Sequence, residues 1–302
     1  MSEYLTPGVF IKDNPNPPVA EATSSSTGGF IGIAQRGEVG KPIFISSWNA
    51  YISNFANGMD SPFLADSDLA YSVYGFFQNG GKRCYVMRVA SSTAKASSVT
   101  KENRTIEATD AGAWGDKLKV AVTANADVAT NFDITVKLGE DTVEVIRNLT
   151  NETDTNNYWV DVLATQSKYI KAGAESKSLV AVAETALSGG SDGVSDIKDT
   201  DFTTALNKFD VVSDINLLCI PGQTSDTVTK SLMSYCETRK DVFAILDAPE
   251  ASTVDSVLSL RKTSGFSCKN AALYFPWIKV ADPLSKTGKL RSCPTCGHVM
   301  GV

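Results

Sequence analysis

The sequence contains one histidine, His298, in 302 residues. That scarcity removes most general acid–base schemes and every multi-histidine metal site. Positive charge is also short, with 28 Lys and Arg against 34 Asp and Glu and a formal charge of −6. Sequence-independent binding of nucleic acid and adhesion to an anionic membrane both need a basic surface, so neither direct nucleic-acid contact nor membrane insertion is expected. A complementary partner surface is expected to be basic rather than acidic. No stretch approaches the roughly 18 apolar residues that cross a bilayer, and the start MSEYLTPG lacks the basic-then-apolar order of a signal peptide. The chain therefore reads as neither membrane-spanning nor secreted by a signal peptide. What is present is ordinary globular usage, 42% hydrophobic and 21% charged, enough for one large core or a few smaller ones.

The six cysteines are Cys84, Cys219, Cys236, Cys268, Cys293 and Cys296. Three sit in the runs CYVMRV, NLLCIP and SYCETR, the setting of small buried hydrophobes in a reducing compartment. The Asn-x-Thr sequons at Asn103, Asn148 and Asn151 then read as loop chemistry.

Composition divides the chain. Residues 1–27 hold Pro7, Pro15, Pro17, Pro18 and ATSSST, which deny this segment a helix or a central strand and make it an extended arm. Within it, Val9, Phe10 and Ile11 follow a Pro7-Gly8 turn signal and suit pairing at a sheet edge. In residues 28–96, FIGIA, IFIS and CYVMRV read as strands, and SDLAYSVYGFFQNGG reads as a helix with Leu69, Val73, Phe76 and Phe77 at three-to-four spacing. Ser67 or Asp68 suits its start and Gly80 its end.

Residues 97–192 are rich in Thr, Asn, Asp and Val, and LKVAVTA and FDITVKL alternate as half-buried antiparallel strands do. Gly112, Gly115 and Gly139 supply turns, and LSGGSDG at 187–193 forms a joint. Residues 193–302 alternate again: NLLCIPG, a helix near 225–239, VFAILDAP, a helix near 253–264, and NAALYFPW. Single helices between strands imply parallel pairing through right-handed crossovers. The expected fold class is α/β, or α+β overall: an α/β domain interrupted by a β-rich insert, with an extended N-terminal arm.

No catalytic or cofactor-binding residue is assigned, and no cofactor is expected. Asp247 and Asp282 follow strands, where Asp commonly forms a turn. TGGFIGIA lacks phosphate-loop spacing, so its glycines read as a turn into a strand. NGGKR follows a helix rather than preceding one, and helix C-termini repel anions. CPTCGH offers Cys293, Cys296 and His298 as half of a zinc knuckle, with a fourth ligand needed from Cys268 or another chain. The expected reading is an incidental surface turn. Two other functions stay open on these residues: a small-molecule α/β enzyme with its site at the carboxyl ends of NLLCIPG, VFAILDAP and NAALYFPW, and a zinc-stabilised interaction module.

Taken in order, TPGVFIKD, STGGFIGIAQRGEVGKPIFISSWNAYISNFA, LAYSVYGFFQNGGKRCYVMRVA, DAGAWGDKLKV, ALSGGSDG, DFTTALNKFDVVSDINLLCIPG, NAALYFPWIKVADPLSKTGKL and GHVMGV resemble the tail sheath protein of contractile phage tails and related particles. The resemblance runs over almost the whole chain. It implies a structural, non-catalytic subunit that stacks as hexameric rings into a helical sleeve around a tail tube, with contraction driving the tube through a bacterial envelope. The implied partners are further copies of itself, the tail tube protein, and baseplate and tail terminator proteins. The implied location is a virion tail, assembled in the bacterial host cytoplasm. It also implies that residues 97–192 form an inserted outer domain, and that an arm containing Leu5, Pro7, Gly8, Val9, Phe10 and Ile11 adds a strand to a neighbour's sheet. Family members continue beyond the GHVMGV-like block with a further helical and strand region, which a chain ending at Val302 lacks. CPTCGH stands where the family has a Pro-rich turn.

Overall fold

A computed structural model describes residues 27–101, 104–174, 178–263 and 265–302. The arm residues Leu5, Pro7, Gly8, Val9, Phe10 and Ile11 lie outside the described residues. The described residues begin with strand β1 (Thr27–Gly32), strand β2 (Pro42–Ile45), helix α1 (Trp48–Phe55), helix α2 (Leu69–Gln78) and strand β3 (Arg83–Arg88). It then runs through β4 (Ser98–Lys101), β5 (Arg104–Ala108), β6 (Leu118–Ala124), β7 (Phe132–Leu138), β8 (Asp141–Leu149), α3 (Trp159–Gln166), β9 (Ile170–Ala172) and β10 (Val182–Ala186). The last stretch is α4 (Asp199–Asn207), β11 (Leu217–Cys219), α5 (Asp226–Arg239), β12 (Phe243–Asp247), α6 (Val254–Thr263), β13 (Ala271–Tyr274), β14 (Ile278–Ala281), β15 (Leu290–Cys293) and α7 (Cys296–Met300).

Six strands form one sheet in the order β13-β12-β11-β1-β3-β2. β1 pairs parallel with both β3 and β11, the β11, β12 and β13 ladder is parallel, and only the edge strand β2 runs antiparallel. The sheet draws strands from both ends of the described sequence, as the mixed α/β reading expects. Alternation sends neighbouring residues to opposite faces. Phe30, Val86, Cys219 and Ile245 face one apolar layer with Tyr51, Val73 and Phe76, while Ile31, Met87, Leu218 and Leu246 face another with Phe202, Phe209 and Leu232.

The glycines of TGGFIGIA lie inside the central strand, not in a turn leading to it. All six residues of β1 are buried. A Cβ on Gly29 would stand 2.6 Å from Leu218 Cδ1, and one on Gly32 2.9 Å from Leu69 Cβ. Glycine here permits close approach of packed neighbours. At the start of α2, Ser67 Oγ accepts from the Leu69 amide at 3.2 Å and donates to the Ile33 carbonyl at 2.8 Å. Asp68 makes no side-chain cap.

Between β3 and β11 the chain builds a four-stranded antiparallel sheet, β10-β6-β7-β8, and a three-stranded one, β4-β5-β9. Leu118, Val120 and Val122 of β6 alternate into a separate core with Ile134, Val136, Trp114 and Trp159. Gly112 at φ +144° and Gly139 at φ +63° make turns, whereas Gly115 lies inside a short 3-10 turn, Ala113–Lys117. Among the described residues no helix is long and apolar enough to cross a membrane.

Candidate functional site

In an open α/β sheet, ligands enter at the carboxyl ends of the strands. Here α7 packs against β11 and β12 at that end. Asp247, at the end of β12, is 5% exposed. Its Oδ1 accepts the Cys296 amide at 3.0 Å and its Oδ2 the Gly222 amide at 3.4 Å. Burial pushes the Asp247 carboxyl up, and the hydrogen bonds from Cys296 and Gly222 oppose that shift. Asp247 is therefore not simply a turn former: it holds the first turn of α7 against the sheet. Asp282 does form the expected turn, accepting the Leu284 amide at 2.9 Å, and it also receives the Tyr71 hydroxyl at 3.2 Å.

Further contacts fasten residues 276–302. Arg291 pairs with Asp68 at 2.8 Å, donates to the Ala65 carbonyl at 2.9 Å and stacks 4.4 Å above the Tyr71 ring. Trp277 Nε1 donates to the Ala248 carbonyl at 2.7 Å, and Asn79 Nδ2 to the His298 carbonyl at 3.0 Å. A polar cavity of about 150 Å³ remains between β1 and β11, lined by Asp66, Ser67, Asp68 and Gln223.

The CPTCGH segment is not a surface turn. Cys293 and Cys296 are both fully buried, Cys296 in α7 beside Ser72 and Cys219. His298 is half-buried, its ring against Gly75 of α2, and burial lowers its pKa. Cys268 sits before β13 and contacts the Met233 carbonyl, away from this group. Among the described residues no three metal-capable side chains come together. Burial pushes the Cys293 thiol up to about 12 and Cys296 well above its ordinary value. Metal ligation needs thiolates, so the arrangement suits apolar packing better. A thiol-reactive disulfide reagent should modify only Cys268 in the native chain, and excess chelator should leave Tm unchanged. Rapid labelling of Cys293 or Cys296, or a chelator-induced drop in Tm, would contradict this.

A second constellation joins the large sheet to the β-rich segment. Arg88, at the end of β3, is 1% exposed, and its Nη1 donates to the Gly37 carbonyl at 3.1 Å and the Ala111 carbonyl at 2.6 Å. Arg36 is 7% exposed, with its guanidinium 4.8 Å from the Trp114 ring and 4.9 Å from the Tyr169 ring. Its Nη2 donates to the Lys168 carbonyl at 3.1 Å. Two buried arginines, one at the end of β3 and one in the loop after β1, thus reach into the loops of the β-rich segment. The sequence reading passed over both. An arginine inside the apolar run CYVMRV was the available signal.

The chain is thus an α/β body with α7 packed at the end of β12, a polar cavity between the ends of β1 and β11, and an antiparallel module fastened beside it by arginines. No family model matches the chain, and no curated protein matches it in sequence. Solved structures do match. A sheath tail protein from Desulfitobacterium hafniense aligns with a TM-score of 0.61 and 15% identity, over 97% of this chain and 60% of its own. One from Listeria innocua aligns with a TM-score of 0.64 and 14% identity, over 91% of this chain and 54% of its own. The chain has the sheath tail protein fold, and it spans 60% and 54% of the lengths of these two proteins.

Proposed function

We propose that the chain is a structural, non-catalytic subunit of a contractile tail sheath, in a phage tail or a phage-tail-like particle. The observation that carries this reading is the agreement of fold with two sheath tail proteins over 97% and 91% of the chain. In this reading copies stack as hexameric rings into a helical sleeve around a tail tube protein, bounded by baseplate and terminator proteins, after assembly in the host cytoplasm. Residues 1–26 form the linking arm and 97–192 the outer module, carried on an α/β portion made of 27–96 and 193–302, because Thr27 is the first residue of β1 and not the last of the arm. Contraction then needs no active site: the extended sleeve is metastable, and a better set of intersubunit contacts supplies the drive.

Negative-stain electron microscopy of the 302-residue chain across a concentration series tests the reading. Rings or hollow tubes are expected at high concentration. Isolated globular particles at every concentration would count against self-assembly by this chain.

A further inference from the structure

Helix α6 has an apolar face that no other described residue buries. Val254, Val257 and Leu258 fall at three-to-four spacing, yet no residue of the helix is buried, and Val254 and Leu258 are 64% and 50% exposed. A ten-residue helix is marginal on propensity alone and draws its stability from packing that face. Between α6 and strand β13, at the edge of the large sheet, lies a groove of about 600 Å³. Its apolar lining includes Leu246, Phe266 and Leu273, and Arg261 and Lys269 stand beside them. Neither cation makes an ion pair among the described residues. This is a basic, apolar groove on an acidic chain.

A feature of opposite character lies ahead of β11. Val211 is 79% exposed and lies in sequence between the exposed Asp210, beside Tyr235, and the exposed Asp214, beside Tyr85. It is held out rigidly. Phe209 and Val212 on either side are buried, and Arg239 Nη1 donates to both their carbonyls, at 3.2 and 3.0 Å.

We propose that the Val211 knob of one copy seats in the α6–β13 groove of the next, with Asp210 and Asp214 facing Arg261 and Lys269. The occupant is a second copy of this chain, chosen by charge complementarity: an apolar tip with two acids meets an apolar floor with two bases. The inference rests on the sheath reading only for the premise that copies associate. Knob and groove are different patches, so the contact is heterologous and propagates head to tail, as a ring or helix requires and a two-fold dimer does not. The charged flanks set register and make association salt-sensitive.

Sedimentation velocity on the full chain tests this with Val211→Asp and Leu258→Asp, both at exposed positions, each checked for native circular dichroism. Each variant should weaken association by about tenfold or more, because a central apolar contact is replaced by a charge. An equimolar mixture retains one intact knob and one intact groove, so it should form dimers and nothing larger. Variants that assemble like the parent, or a mixture that stays monomeric, overturn the contact and leave the sheath reading standing. A parent chain that is monomeric at every concentration overturns the contact and counts against self-assembly by this chain.

Discussion

Arg88→Met should destabilise the chain by about 3 kcal/mol, measured as a shift in the urea unfolding midpoint. Methionine fills much of the space of the arginine stem, so the change isolates the guanidinium. Its loss strands the Gly37 and Ala111 carbonyls, which share one Nη1 donor in a setting where Arg88 is 1% exposed. Leaving a buried acceptor unsatisfied costs about 1–3 kcal/mol, and two acceptors are affected here. Asp192, 3.9 Å away, adds little because its side chain is 41% exposed and already solvated. Burial itself lowers the Arg88 pKa, with Asp110 and Asp192 opposing, so the site is one where the charge is retained by its partners. Ala111 lies in the loop between β5 and β6 of the β-rich segment, so the variant should also be cleaved sooner by limited proteolysis around residues 109–113. A stability within about 0.5 kcal/mol of the parent would mean that water replaces the guanidinium without penalty.

The same region shows where sequence reasoning stops. Strands β1, β3 and β12 were legible because a buried parallel strand is a short apolar run, and the antiparallel strands β6 and β7 because their residues alternate. Four helices, α1, α3, α4 and α7, escaped the reading, three of them for separate and identifiable reasons. In α1 the signals are local: the Ala50 amide donates to the Ser47 cap, and Tyr51 and Phe55 are its buried pair, but eight aromatic-rich residues carry little helical bias. Helix α4 is Asp- and Thr-rich and is anchored by Phe202, Ala205 and Leu206 alone. Helix α7 is five residues long and exists because α2, more than 200 positions earlier, packs on it. Distance in sequence also hid the partners of Asp247 and Arg88. The position of Asp247 at a strand end was readable, but its acceptance of the Cys296 amide was not. The cysteines of CPTCGH suggested metal chemistry by spacing, whereas their burial depends on a surface supplied by α2 and β11.

Gly297→Ala should be the more damaging of two substitutions made across the contact between α2 and α7. A Cβ at Gly297 would lie 2.3 Å from the Ser72 carbonyl oxygen and 2.6 Å from its carbon and Cα, all backbone of α2. Backbone within a packed helix cannot yield separately, so the two helices must part. Gly75→Ala, on the opposite side of the same contact, meets the His298 ring at 2.4 Å. That ring is half-buried and can swing aside. Both changes gain about 1 kcal/mol of helix propensity, which offsets much of the cost at Gly75 but little of it at Gly297. The expected losses are about 3 kcal/mol or more for Gly297→Ala and about 1 kcal/mol or less for Gly75→Ala. The larger loss has a second readout. Parting α7 from α2 uncovers Cys296, which is fully buried in the parent, so Gly297→Ala should label there within minutes while the parent and Gly75→Ala do not. Equal effects from the two alanines would show that the contact yields as a whole, and that the obstacle at Ser72 is no stiffer than an imidazole ring.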